Sequence, residues 1–120
     1  RDLKPENILV GSIDKGSNAQ IKISDFGFAN YYKPDKKMKD VLGTPLYTAP
    51  EIINRKSYDS KVDIWSVTIV IYIMLTGKQP FMGDTKDSLF SDICSRELDF
   101  KSEHMSKLSK EARSFIKLGL

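Results

Sequence analysis

Three short stretches concentrate the side chains that could do chemistry: Arg1-Asp2-Leu3-Lys4-Pro5-Glu6-Asn7, then Asp25-Phe26-Gly27, then Gly43-Thr44-Pro45-Leu46-Tyr47-Thr48-Ala49-Pro50-Glu51. Together they supply carboxylates, an ammonium group, an amide and hydroxyls. A carboxylate such as that of Asp25 is a hard oxygen donor, and Gly27 gives its turn backbone freedom. Asp2 or Asp25 alone would read as a helix cap or a solvated turn. It is their conjunction with Lys4 and Asn7, in order and in context, that calls for a chemical reading. The cysteine count excludes an internal disulfide and a cysteine-cluster zinc site, since Cys94 stands alone. A lone cysteine suits a reducing compartment and reads as a small, half-buried packing residue.

The elements that must position these stretches are legible in the apolar pattern. Ile8-Leu9-Val10 and Ile21-Lys22-Ile23 are β-prone runs, and the turn-rich segment Gly11 to Asn18 reads as the hairpin connection between them. From Asp25 to Glu51 periodicity disappears, and Gly27, Pro34, Gly43, Pro45 and Pro50 punctuate an irregular segment. A loop of that length in a compact domain is usually functional or disordered. Ser60 reads as an N-cap with Asp63 as the capping acid, and Gly77 as the stop after Thr76. The helix between them is apolar on nearly all sides and is expected in the middle of the structure. A second helix starts near Thr85, with Leu89, Phe90 and Ile93 on one face. A third follows Ser109, with Glu111 in its first turn and Ala112, Phe115 and Ile116 facing inward.

Composition sets outer bounds. The 120 residues, 40% of them hydrophobic, suffice for one small core. A net charge of +3 is spread along the chain, with a short cluster at Lys33, Lys36, Lys37 and Lys39. That is mostly a solvated surface, without the dense basic stripe and interleaved aromatics that nucleic-acid binding wants. The run Ile64 to Leu75, broken by Ser66 and Thr68, falls short of the roughly 18 to 20 residues needed to span a bilayer. An opening Arg1 and an apolar pattern still running at Leu120 read as two cut ends, and no signal peptide is visible.

The order and spacing of the three stretches resemble those of the eukaryotic protein kinase family, over essentially the whole chain from Arg1 to Leu120. The resemblance implies a mainly α structure with a short β-hairpin, the incomplete C-terminal lobe of the two-lobed (α+β) protein kinase fold. Residues 1–120 would be a partial kinase domain holding the catalytic loop, the activation segment and the helices that follow. Nothing here resembles the Gly-rich phosphate loop, the lysine that pairs with the α and β phosphates, or its glutamate partner; these are expected upstream. The implied activity of the parent protein is transfer of the γ-phosphoryl group of Mg-ATP to Ser/Thr hydroxyls of protein substrates, with ATP and Mg2+ as cofactors. This chain alone is expected to be inactive, and to fold poorly where its large helix exposes apolar surface. The rival readings are a pseudokinase or scaffold that keeps the fold as a binding module, and a truncated product that competes for partners.

Because phosphoryl transfer has a loose transition state, such an enzyme mostly positions groups and neutralises charge. By resemblance, Asp2 accepts or orients the proton of the attacking hydroxyl, and Lys4 neutralises the transferring phosphoryl group and speaks for Ser/Thr specificity. Asn7 and Asp25 match the metal-holding amide and carboxylate, and with Lys4 and Glu6 they make up the nucleotide side of the site. For Glu6, pairing with a basic substrate residue, capping and solvent exposure all stay open. Phe26 matches an apolar plug whose packing sets active or inactive geometry. Thr44 matches the hydroxyl residue that contacts the catalytic aspartate and lines the substrate site, and Leu46 and Tyr47 help shape the pocket beside the phosphoacceptor. Glu51 matches one half of a buried ion pair whose arginine is expected beyond Leu120, and Asp63 matches a helix residue that anchors the catalytic loop backbone. Arg1 fits a kinase controlled through its activation segment. Yet residues 28–42 contain no Ser or Thr, only Tyr31 and Tyr32, so Arg1 is expected to pair with Asp35 or Asp40, or control to come from elsewhere.

Two departures stand out. Val67-Thr68 replaces the family's common apolar-Gly pair after Trp65-Ser66, adding bulk where a helix often packs closely, and Ala29-Asn30 is a variant ending after Gly27-Phe28. Framework segments Tyr72 to Gly77, Pro80-Phe81, Ser109 to Ala112 and Phe115-Ile116 look most like the calcium/calmodulin-dependent and calcium-dependent kinase group. The chain has no calcium loop of spaced acidic ligands, so calcium-sensor control would reside in other sequence. The expected setting is intracellular and cytoplasmic, with no nucleic-acid partner and no membrane span.

Overall fold

The computed structural model describes residues 1–11, 19–33 and 35–120; the expected hairpin connection and Pro34 lie outside the described residues. Strand β1, Ile8–Val10, pairs antiparallel with β2, Ile21–Ile23, in the register Ile8 to Ile23, Leu9 to Lys22 and Val10 to Ile21. The ladder continues past both strands: Gly11 N–H donates to Gln20 O at 2.8 Å, and Ser24 N–H donates to Asn7 O at 2.9 Å. That last bond places the stretch ending at Asn7 beside the one opening at Asp25. A 3₁₀ turn, Pro5–Asn7, leads into β1, and a second, Pro45–Tyr47, breaks the irregular segment. Both carry proline where its missing N–H costs nothing, as does the short helix α1, Pro50–Ile53.

Helix α2, Lys61–Thr76, is the spine. Three apolar clusters hang on it: Val62 with Ala49, Ile52 and Tyr58; Ile69 with Phe81 and Ile93; Tyr72 with Met105 and Ile116. Trp65 stacks on Phe81 with ring centroids 5.8 Å apart. Gly77, at φ 67°, ends the helix by donating its N–H to Ile73 O at 2.8 Å. The start differs from expectation. Ser60 already has helical dihedrals and caps nothing, and Asp59 Oδ1 accepts the Lys61 N–H at 2.9 Å instead. Nor is the helix surrounded on all sides: Ile64, Met74 and Leu75 are exposed. Its apolar pattern runs all round, but the described residues cover only one face.

Helix α3, Lys86–Ser95, begins with a reciprocal cap in which Thr85 Oγ1 accepts from Ser88 N and Ser88 Oγ accepts from Thr85 N. Ile93 is buried and Leu89 and Phe90 half-buried, whereas Cys94, one residue further round the helix, is exposed rather than half-buried. After the single turn α4, Glu103–Ser106, comes α5, Lys110–Gly119, capped by Ser109 Oγ on Ala112 N at 3.1 Å. Ile116 is fully buried, but Phe115 is exposed. The inward stripe is Ala112, Ile116 and Gly119, and Phe115 stands about 100° away from Ile116.

The bulk of Thr68 is accommodated without loosening the core. Thr68 is fully buried and donates its hydroxyl to Ile64 O at 2.7 Å. Gly119 faces it from α5, where a Cβ would collide with the Thr68 hydroxyl and stand 2.8 Å from its Cβ and Cγ2. The glycine missing from one helix stands on the other. No helix among the described residues is long and apolar enough to cross a membrane.

Candidate active site

Asp2 lies at the centre of the site. Its Oδ1 accepts two hydrogen bonds from Thr44, from the backbone N–H and from Oγ1, both at 2.7 Å. Its Oδ2 lies 3.1 Å from Lys4 Nζ, which also donates to Thr44 Oγ1 at 3.0 Å. The three side chains thus close a triangle, although Thr44 is 42 residues from Asp2 along the chain. The 3₁₀ turn that follows Thr44 holds it in place: Tyr47 N–H donates to Thr44 O at 3.0 Å, and the buried Thr48 adds its hydroxyl to the same oxygen at 2.9 Å. Gly43, at φ 114°, lets the chain turn in close to the Arg1 carbonyl.

Burial opposes ionisation of Asp2, but the hydrogen bonds from Thr44 and Lys4 outweigh it and hold the carboxyl below its ordinary value. The hydrogen bond to Asp2 raises Lys4 despite some desolvation, and the nearby charges of Glu6 and Asp25 add to the effect. At neutral pH the site therefore holds a carboxylate that can accept a proton and an ammonium that stays charged.

Asn7 is buried, and its Nδ2 donates to Asp2 O at 3.0 Å, which bends the loop around it and leaves Oδ1 as its acceptor end. Asp25 has the left-handed φ of 57°, and its Oδ1 accepts the Gly27 N–H at 3.0 Å. The left-handed residue of this turn is thus Asp25 and not Gly27. Glycine is suited to position 27 for a different reason: a Cβ there would stand 3.1 Å from Asp25 Oδ1. Phe26 is 70% exposed, so it plugs nothing among the described residues. A cavity of about 200 Å³ runs between the two acids, lined by Asp2, Asp25, Ile23, Phe28 and Asp63 among others.

The remaining residues sit around this centre. Glu6 is exposed on the first 3₁₀ turn. Leu46 and Tyr47 are half-buried against the Ile69, Phe81 and Ile93 cluster. Burial raises the Tyr47 phenol, and the Glu6 charge adds to it. Glu51 is half-buried in the first turn of α1 and belongs to none of the ion pairs among the described residues. Asp63 Oδ1 lies 3.3 Å from the Arg1 main-chain nitrogen, without hydrogen-bond geometry. Of the two acids expected for Arg1, Asp40 is the partner found, at 2.8 Å from Nη1.

The whole chain, residues 1–120, matches the protein kinase domain family. The chain belongs to that family. Its mainly helical body with one two-stranded sheet is part of the protein kinase fold. The chain is 41% identical to myosin light chain kinase A of Dictyostelium discoideum over 97% of its own length and 39% of the relative's. It is also 41% identical to CDPK-related kinase 5 of Arabidopsis thaliana, over 98% of its length and 19% of the relative's. With calcium-dependent protein kinase 11 of the same plant it shares 40% over 97% of its length, which is 23% of that relative. The chain thus spans well under half the length of each of these kinases.

Some residues of this site carried no signal in the sequence. Thr48 braces Thr44, and Tyr58 reaches the Arg1 guanidinium with its hydroxyl at 3.1 Å. Neither is marked by periodicity or by residue chemistry, since Thr and Tyr are common packing residues.

Proposed function

We propose that this chain is the C-terminal lobe of a longer serine/threonine protein kinase, which transfers the γ-phosphoryl group of Mg-ATP to Ser and Thr hydroxyls of protein substrates. The observation that carries the reading is the closed triangle of Asp2, Lys4 and Thr44. A carboxylate held ionised by Thr44 and Lys4 is able to orient a substrate hydroxyl and take its proton. Lys4, charged and within reach of the same carboxylate, offsets negative charge that moves during transfer. Thr44 ties the substrate-side segment to the catalytic carboxylate, with Leu46 and Tyr47 next to it as walls for the acceptor peptide.

No group of three or more metal-ligating His, Cys, Asp or Glu side chains occurs among the described residues. That suits Mg2+, which is commonly held by one or two protein oxygens plus waters and substrate phosphates. Asp25 and Asn7 offer such oxygens, and Asp25 is close enough for its charge to act on Lys4. The ion would supply charge neutralisation on the phosphates. Asp25, fixed by the Gly27 N–H, and Asn7, fixed by Asp2 O, are pre-oriented to hold it.

The nucleotide's remaining contacts and any calcium-sensor control belong, in this reading, to sequence beyond these residues. Relatives named calcium-dependent kinases support the second point. The single cysteine supports a cytoplasmic setting. The test is phosphate transfer from Mg-ATP to a Ser/Thr peptide library by the complete protein, its Asp2→Ala and Asp25→Ala variants, and this chain alone. Transfer by the complete protein alone is expected. Equal transfer by the variants overturns the reading.

A further inference from the structure

We infer that Tyr58 is a positioning residue for this site: its hydroxyl clasps Arg1 to the main chain at Asp40, and so holds the segment before Thr44 against the catalytic loop. The inference rests on the kinase reading for its effect on turnover, but not for the clasp itself.

Arg1 touches three separate parts of the chain. Its Nε donates to Phe28 O at 2.7 Å, and its Nη1 donates to Asp40 Oδ2 at 2.8 Å and to the Tyr58 hydroxyl at 3.1 Å. The Tyr58 hydroxyl in turn donates to Asp40 O at 2.7 Å. Behind the hydroxyl, the Tyr58 and Met38 main chains exchange two hydrogen bonds of 2.9 Å. The ring itself is 2% exposed, packed with Ala49, Ile52 and Val62 just before α2.

The relative burial of the members decides which one matters. The Asp40 side chain is 58% exposed and that of Arg1 only 10%. The Arg1–Asp40 pair alone is therefore open to water at one end, where screening weakens it. Tyr58 brings a fixed hydroxyl from the buried side, accepting from Arg1 and donating to Asp40. Its ring cannot follow the loop outward, because it is locked into the cluster at the foot of α2. Arg1 directly precedes Asp2, and Asp40 lies four residues before Thr44, so the clasp bears on both sides of the catalytic hydrogen bonds. Residues 28–42 contain no Ser or Thr, and the clasp uses only groups already in the chain.

The experiment uses the complete protein with Tyr58→Phe, Asp40→Asn, the two together, and Tyr31→Phe as a control whose 93% exposed side chain belongs to the same segment. Phenylalanine keeps the ring in its cluster, so folding should survive, and melting temperatures check this. Two readouts are taken: steady-state kinetics, and amide hydrogen exchange at Met38. Expected for Tyr58→Phe is a kcat lower by about three- to tenfold, from the loss of one or two hydrogen bonds. KM for ATP should not change, and Met38 exchange should quicken. Expected for the double variant is a loss no greater than that of the worse single one. Wild-type kcat and Met38 exchange in Tyr58→Phe, or losses that simply multiply in the double variant, would overturn the clasp. If the complete wild-type protein transfers no phosphate, the kinase reading fails and Met38 exchange alone decides the clasp.

Discussion

Replacing Thr44 with valine keeps shape and removes one hydroxyl, which makes it the sharpest probe of the site. That hydroxyl donates to Asp2 Oδ1 at 2.7 Å and accepts from Lys4 Nζ at 3.0 Å. Both partners are charged, and the Asp2 side chain is only 10% exposed, so solvent replaces the lost bond poorly. A hydrogen bond to a charged group contributes about 1.5–3 kcal/mol. The backbone N–H of Thr44 and the Lys4 ammonium stay with Asp2, so Asp2 itself loses one such contribution, and Lys4, which loses its bond to the hydroxyl, keeps Asp2 as its partner. In rate terms one such contribution is about ten- to hundredfold in kcat. The pH profile supplies a second, independent reading. Asp2 must be ionised to accept a proton, and its carboxyl is held below the ordinary value. If Asp2 is the proton acceptor, the acid limb of kcat in the wild type should therefore lie at low pH, and removing a hydrogen bond that favours the charged form should move that limb to higher pH. Steady-state phosphorylation of a serine peptide by the complete protein, from pH 3 to 8, measures both effects. Serine at position 44 should restore most of the rate. A Thr44→Val enzyme with wild-type kcat and an unmoved acid limb, or a serine variant as impaired as valine, would refute the reasoning.

Gly27→Ala should raise the Mg2+ concentration needed for half-maximal turnover several-fold, because the new Cβ would stand 3.1 Å from Asp25 Oδ1 and push that carboxylate aside; a Mg2+ titration unchanged from wild type counts against Asp25 as a metal ligand. Gly119→Ala should cost about 1–3 kcal/mol of stability by driving a methyl group into buried Thr68. Thr68→Gly should also destabilise, but the double variant should recover part of the loss. Urea denaturation of all four proteins gives the coupling, and strict additivity would show that the two helices do not share that space.

What could be read before folding depended on how each residue earns its place. Asp2, Lys4, Asn7, Asp25 and Thr44 stand out because they fall in short motifs that resemble those of a known family, and that resemblance reaches across the 42 residues between Asp2 and Thr44. The strands, α2 with its Gly77 stop, and the helix starts near Thr85 and after Ser109 were legible as local patterns with a short period. Periodicity says which face is apolar, but not whether a neighbour will cover it. Ile64, Met74, Leu75 and Phe115 therefore read as buried and are exposed. A cap can shift by one residue at no visible cost, which is why Asp59 holds the end of α2 that Ser60 was expected to hold. Gly27 misled differently, because glycine reports freedom and close approach with the same letter. Only the folded turn shows that the approach is what matters there. The Arg1, Asp40 and Tyr58 clasp marks the limit. Its members are chosen for reach, not for scarce chemistry, and a hydroxyl meeting a carbonyl across an irregular segment leaves no period to find. Their positions become meaningful only when the loop is closed, and the same closure carries Thr44 to Asp2.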